Sequence, residues 1–195
     1  MSANDDGIVN PPPVLPPADV QVLHEGEFLR LLRDAHWEYV ERQHSTGAGF
    51  IIALTAEQEL LLVEQLRLPL RRRVIELPAG IIADSVATAG ESVQASALRE
   101  LEEETGYRGT RAQILCHGPV AAGMTSEIGW FTRVHDLQRV GDGGGVDGED
   151  ITVHRVSLSQ VDAWLADRQA DGILVDPRIF IALYFLGREP ASTEA

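Results

Sequence analysis

Glu91-Ser92-Val93-Gln94-Ala95-Ser96-Ala97-Leu98-Arg99-Glu100-Leu101-Glu102-Glu103-Glu104-Thr105-Gly106-Tyr107 is the stretch around which the rest of the chain is arranged. Ser92 stands where a helix N-cap would, and Gly106 where the left-handed residue after a helix would, so a helix is predicted from Val93 to about Thr105. At about 100° per residue, Glu100, Glu103 and Glu104 fall on one side of that helix and Ala97, Leu98 and Leu101 on another. A face of glutamates is ordinarily a solvated stripe. Within the predicted helix the three carboxylates lack Lys or Arg at helical spacing toward the C-terminus, and like charges at i and i+4 destabilise a helix, so something else must neutralise them. Hard carboxylate oxygens on a rigid element suit Mg²⁺ or Mn²⁺, which keep some waters and take other ligands from a substrate phosphate, a diphosphate above all.

Other chemistries find little support. None of the six histidines falls in a zinc-type spacing, and Cys116 stands alone. There is no Gly-Lys-Ser/Thr phosphate loop and no Gly-x-Ser-x-Gly elbow.

Upstream of the helix, short β-rich runs at Val20–His24, Phe28–Leu32 and Trp37–Gln43 predict a small antiparallel sheet. Phe50–Leu54 and Leu60–Leu66, separated by a polar break, read as a hairpin. Val74–Leu77 reads as a strand stopped at Pro78 and Gly80. Downstream come strand-like runs at Gln113–Cys116, Gly129–Val134 and Thr152–Val156, with a glycine-rich segment at Gly141–Asp150. Two helices close the chain, Gln160–Arg168 and, entered through Asp176 as cap and Pro177 at its first position, Pro177–Gly187. Strand runs with a few helices between and after them argue an α+β or layered α/β/α domain, not a repeating parallel βαβ fold.

The 195 residues are 44% apolar and carry a formal charge of −14, which suits one domain with a full core. A strongly acidic surface repels nucleic acid and anionic membrane, so neither is an expected partner. The absence of a long apolar run or a basic leader, together with a single cysteine, predicts a soluble cytoplasmic protein. Residues 1–18, with Pro11, Pro12, Pro13, Pro16 and Pro17, read as a disordered arm. The remainder divides into an N-terminal sheet at 19–45 and a main domain at 46–190.

With these residues in view, Gly80, then Glu91, then Arg99-Glu100-Leu101-Glu102-Glu103-Glu104-Thr105-Gly106-Tyr107 resemble the Nudix box of Nudix hydrolases. The match is complete from Glu91 to Tyr107. Ten residues separate Gly80 from Glu91 where the family has five, an insertion in the loop before the helix. Glu64-Gln65-Leu66-Arg67, Glu76-Leu77-Pro78-Ala79-Gly80, Gly123-Met124-Thr125-Ser126-Glu127 and Glu149-Asp150-Ile151-Thr152-Val153-His154 are similar to the ADP-ribose pyrophosphatase branch, although enzymes cleaving GDP-mannose and other nucleoside diphosphate sugars share much of that pattern.

The resemblance implies a Nudix α/β/α sandwich with an N-terminal antiparallel sheet, hydrolysing the diphosphate bond of a nucleoside diphosphate sugar with Mg²⁺ or Mn²⁺. It implies that the Ala79 carbonyl, Glu100 and Glu104 ligate metal and that Glu103 supports or shares them. Gly80, Glu91 and Arg99 are implied to be structural, the last two as an ion pair bracing loop against helix. Arg67 either approaches substrate phosphate or is an exposed strand-end arginine. Met124 and Glu127 are implied to contact substrate, and Trp37 either stacks on a base or serves as core or dimer contact. In the glycine-rich segment, permissive and expected to be mobile, Glu149 is the first candidate and Asp147 the second for positioning or deprotonating the attacking water. A homodimer through residues 19–44 is implied as well. The alternatives are GDP-mannose, UDP-glucose or a dinucleoside polyphosphate as substrate, or a Nudix-fold sensor without turnover.

Overall fold

A computed structural model describes residues 19–45, 47–83, 88–146 and 148–189. The proline-rich arm and Asp147 therefore lie outside the described residues.

The N-terminal sheet forms as the alternation predicts, from β1 (Gln21–Glu25), β2 (Leu29–Asp34) and β3 (Trp37–Arg42), in the order β1-β2-β3 and antiparallel throughout. The main domain holds two four-stranded sheets. One has the order β7-β4-β10-β9, from β4 (Gly47–Ala53), β7 (Ala79–Ile82), β9 (Arg111–Pro119) and β10 (Ile128–His135). The other has the order β12-β5-β6-β13, from β5 (Glu59–Arg67), β6 (Arg72–Glu76), β12 (Ile151–Ser157) and β13 (Leu174–Val175). Two-residue strands β8 (Tyr107–Arg108) and β11 (Gln138–Arg139) pair with each other.

Alternation along β4 places its side chains in two cores. Ile51 and Ala53 pack with Ala97 and Leu101 of α1 (Val93–Thr105). Ala48, Phe50 and Ile52 face the opposite way, into a core shared with α2 (Val161–Ala170) and α3 (Arg178–Leu186). The architecture is thus the α+β, α/β/α arrangement expected, with a small antiparallel sheet before it.

One expectation needs correction and another an addition. Phe50–Leu54 and Leu60–Leu66 are joined by a tight turn, with Thr55 donating to the Glu59 carbonyl at 2.9 Å, but one bridge beyond it, Leu54 to Leu60, the strands part into different sheets. Both edges of β4 are already taken by β7 and β10, so β5 finds its partners elsewhere. Strand β6 does stop at Glu76, ahead of Pro78, but the chain pairs again at once in the other sheet: Ala79–Ile82 is β7, with Ala79 opposite Phe50 and Gly80 opposite Gly49. β7 is the edge strand of that sheet, and the Ala79 N–H turns away from β4 toward the helix, to Glu104 Oε2.

Candidate functional site

Helix α1 carries the charged face into position because both its ends are fixed. The Ser92 hydroxyl accepts from the Ala95 N–H at 3.1 Å, and Gly106, at φ 72°, donates to the Glu102 carbonyl. Gly80 then sets how closely β7 can approach the helix. A Cβ on Gly80 would fall 2.1 Å from Cδ of Glu100, so any side chain there would displace that carboxylate.

The neutralising partner of the glutamate face is Arg99. Its guanidinium holds Glu91 through two bonds of 3.2 and 3.1 Å and lies 2.9 Å from both Glu100 and Glu103. Glu91 and Arg99 thus make the bracing ion pair, and Arg99 spans the carboxylates as well. One guanidinium thus serves three carboxylates and offsets their mutual repulsion only in part.

Glu104 is different. It is 5% exposed, and the Ala79 N–H donates to its Oε2 at 3.0 Å. Burial raises its pKa to about 8, with Glu100 and Glu149 adding to the shift while the Ala79 N–H and Arg67 oppose it. A carboxylate so short of positive charge is a place where a cation would be stabilised.

These groups open into a cavity of about 580 Å³ whose lining includes Ala79, Gly80, Arg99, Glu100, Glu103, Glu104 and Glu149. Arg67 enters from β5 and holds the buried Glu76 at 2.7 Å, so it is not merely an exposed strand-end arginine. Burial pushes the Glu76 pKa upward, against the pull of Arg67. Glu127 enters from the segment before β10 and pairs with Arg42 at 2.7 Å. Glu149 accepts from the Val146 N–H at 3.1 Å, its carboxylate turned back on its own loop.

That loop is docked on the helix. Gly144 donates to the Glu104 carbonyl at 2.8 Å and Gly145 to the Glu103 carbonyl at 3.1 Å, satisfying orphan acceptors at the end of α1. A Cβ at Gly143 would meet the Thr105 carbonyl carbon at 2.4 Å, so glycine there allows the contact.

Two candidates lie apart from the cavity of their own chain. Trp37, 52% exposed, sits at the opposite end of β3 from Arg42. Met124 is 63% exposed and contributes its carbonyl to the Val40 N–H, joining β3 to the loop before β10. Conversely, Arg42, Phe50, Glu76 and Arg178 line the cavity without having been singled out as site residues. Glu76 stood in a stretch that carries the family resemblance, and Arg178 follows Asp176-Pro177: Asp176 accepts from the Arg178 backbone N–H at 2.8 Å and also binds its guanidinium.

Among the described residues, no three His, Cys, Asp or Glu side chains form a ready metal cage. Arg99 occupies Glu100 and Glu103. Oxygen donors with room for waters and a phosphate nevertheless suit Mg²⁺, which seldom uses an all-protein cage.

A sandwich that sets a glutamate helix against a cavity edged with arginines defines a class of site fitted to an anion accompanied by cations. A model described as NUDIX domain matches residues 45–174, and the chain belongs to the Nudix family. Among its relatives are proteins named as pyrophosphatases. It is 29% identical over 146 residues to the methanol dehydrogenase activator of Bacillus methanolicus, 74% of each chain. It is 38% identical over 82 residues to the ADP-ribose pyrophosphatase of Bacillus subtilis (strain 168), 42% of each chain. Identity to the ADP-ribose pyrophosphatase of Mycobacterium tuberculosis is 33% over 130 residues, 62% of this chain and 59% of that one. A solved structure titled as an ADP compounds hydrolase shares the fold, with a TM-score of 0.64 at 20% identity over 88% of this chain and 90% of that one.

Proposed function

We propose that this protein hydrolyses the diphosphate bond of ADP-ribose or a related nucleoside diphosphate sugar, giving a nucleoside monophosphate and a sugar phosphate. The observation that carries the reading is the meeting, in one cavity, of Glu100, Glu104 and Glu149 with Arg42, Arg67 and Arg178. The arginines suit the anionic substrate, and the carboxylates suit the cations that accompany it. The names of the relatives support the ADP-sugar assignment.

Glu100, Glu104 and the Ala79 carbonyl would hold Mg²⁺ or Mn²⁺, with Glu103 supporting them. When bound, the metal polarises the diphosphate, offsets its charge and lowers the pKa of a coordinated water. The chain's own residues do the rest. Arg67 and its neighbours orient the diphosphate, Glu127 and Arg42 border the substrate, and Glu149 positions or deprotonates the attacking water. Asp147 remains the second candidate for that last role.

Residues 19–44 would cover a second copy of the chain. Val22, Phe28, Leu29 and Trp37 are exposed there, and a small isolated sheet gains from a surface to rest on. In such a homodimer Trp37 could reach the partner's site.

A screen of nucleoside diphosphate sugars with added Mg²⁺, products identified by mass, tests the assignment. ADP-ribose should yield AMP and ribose 5-phosphate. Free phosphate or ADP as product would overturn the reading, and preference for GDP-mannose would replace the substrate.

A further inference from the structure

Arg73 of β6 ties together groups from β5, β12 and the glycine-rich segment before β12. Its Nε donates to Glu64 Oε1 at 2.5 Å, and its Nη2 donates to the Glu64 carbonyl at 3.2 Å and to Thr152 Oγ1 at 3.4 Å. Its Nη1 donates to Asp150 Oδ2 at 3.0 Å. The other carboxylate oxygen of Glu64 meets His154 Nε2 at 3.0 Å, and the His154 ring rests against Trp164 of α2, 5.0 Å between centroids.

Strand register places this cluster behind the candidate site. Gln65 and Arg67 alternate along β5 with Val63, which is opposite Glu76, so the three cavity-lining residues Gln65, Arg67 and Glu76 share one face of the sheet. Glu64 lies between them in sequence, Arg73 is opposite Leu66, and Thr152 is opposite Glu64, which puts these on the other face. The two faces meet where the chain leads into β12. Asp150 is held by Arg73 behind the sheet, while its neighbour Glu149 lines the cavity in front.

An ordinary surface ion pair would not fix a loop. Asp150 is 79% exposed, and such pairs are worth little because two side chains must be ordered to make them. Here the guanidinium is already immobilised on Glu64, which is 12% exposed, so the bond to Asp150 orders only the short side chain of the loop. We propose that Arg73 is a positioning residue for Glu149: by holding Asp150 on the far face of the sheet, it sets where Glu149 stands on the cavity face. The loop is then tied at two places, to the α1 carbonyls through Gly144 and Gly145 and to β6 through Asp150. The proposal rests on the diphosphatase reading, in which Glu149 serves the attacking water, and adds to it what aims that carboxylate.

Two variants of the full chain break the tie from opposite ends. Asp150→Ala leaves Arg73 on Glu64 and so leaves the sheet as it is; Arg73→Gln removes the guanidinium itself. In each, amide hydrogen exchange over residues 144–150, measured without ligand, should quicken about threefold or more. In each, kcat for ADP-ribose at saturating Mg²⁺ should fall about tenfold with KM within about twofold of wild type. The double variant should be no slower than the slower single one, and neither change should lower kcat further in a Glu149→Gln background. Unchanged exchange in Asp150→Ala, a raised KM without a fall in kcat, or a loss that persists in full in the Glu149→Gln background overturns the proposal. If exchange quickens as expected but the wild-type protein hydrolyses no nucleoside diphosphate sugar, the diphosphatase reading falls and the hold of Arg73 on the loop stands.

Discussion

Gly80→Ala separates stability from catalysis more sharply than any change to a charged residue. The added Cβ would sit 2.1 Å from Glu100 Cδ and 2.2 Å from its Oε1, where ordinary contact begins at 3.4 Å. The carboxylate must therefore retreat by the difference, 1.3 Å. Because it ends a flexible side chain and the backbone at Gly80 is ordinary strand, the retreat should cost less than about 1 kcal/mol of stability. Catalysis is less forgiving, since misplacing a site group by about 1 Å costs on the order of a hundredfold. The expectation is a Tm close to wild type with kcat for ADP-ribose, at saturating Mg²⁺, about a hundredfold lower. A double-mutant cycle assigns the cause. Glu100→Ala removes the Cγ, Cδ and Oε1 that a Cβ on Gly80 would meet, so Gly80→Ala should have little further effect in a Glu100→Ala background. The coupling then approaches the full effect, about 2.7 kcal/mol. Gly80→Ala within threefold of wild type, or an equal loss in both backgrounds, would refute the role given to this close approach.

Glu103→Gln and Glu104→Gln should each lower kcat by orders of magnitude with the fold intact, which steady-state kinetics and circular dichroism check together. In metal-free protein Glu104 titrates near 8 against an ordinary 4.5, so its stabilising contribution is complete below about pH 4.5 and is lost as pH rises through 8. Urea denaturation in EDTA at pH 4.5 and 9 should show wild type losing up to about 5 kcal/mol relative to Glu104→Gln, and parallel curves would contradict it. Glu149→Gln should reduce kcat far more than it raises KM; the reverse split would make Glu149 a binding residue. Sedimentation at micromolar concentration should give a dimer, and a fully active monomer would remove residues 19–44 from the site.

What could be read in the sequence was what neighbouring residues decide together. Helix α1 was legible to its last residue because Ser92, the spacing of Ala97 and Leu101, and Gly106 are local statements that agree. The pairing of Glu91 with Arg99 was legible through the family pattern. Strand β7 was hidden, since Pro78 and Gly80 carry the marks of a break and only pairing with β4 shows that the chain joins the other sheet. The parting of β4 from β5 was hidden for the same reason: it depends on β7 and β10 claiming both edges of β4, which is a fact about the assembled sheet.

The site divides along the same line. Its acidic side comes chiefly from one helix and could be read as a motif. Its basic side is assembled from β3, β5, α1 and the start of α3, so Arg42, Arg67, Arg99 and Arg178 become neighbours only when the sheets stack. The two sides also depend on each other. Glu104 is buried at a cost its Ala79 hydrogen bond does not offset, while Arg99 draws Glu100 and Glu103 aside. A cation with a diphosphate would relieve the first and compete for the second. On the proposed reading the fold holds its carboxylates in an arrangement that the ligands would complete, and for that reason the site is easier to recognise from its chemistry than from any ready-made cage.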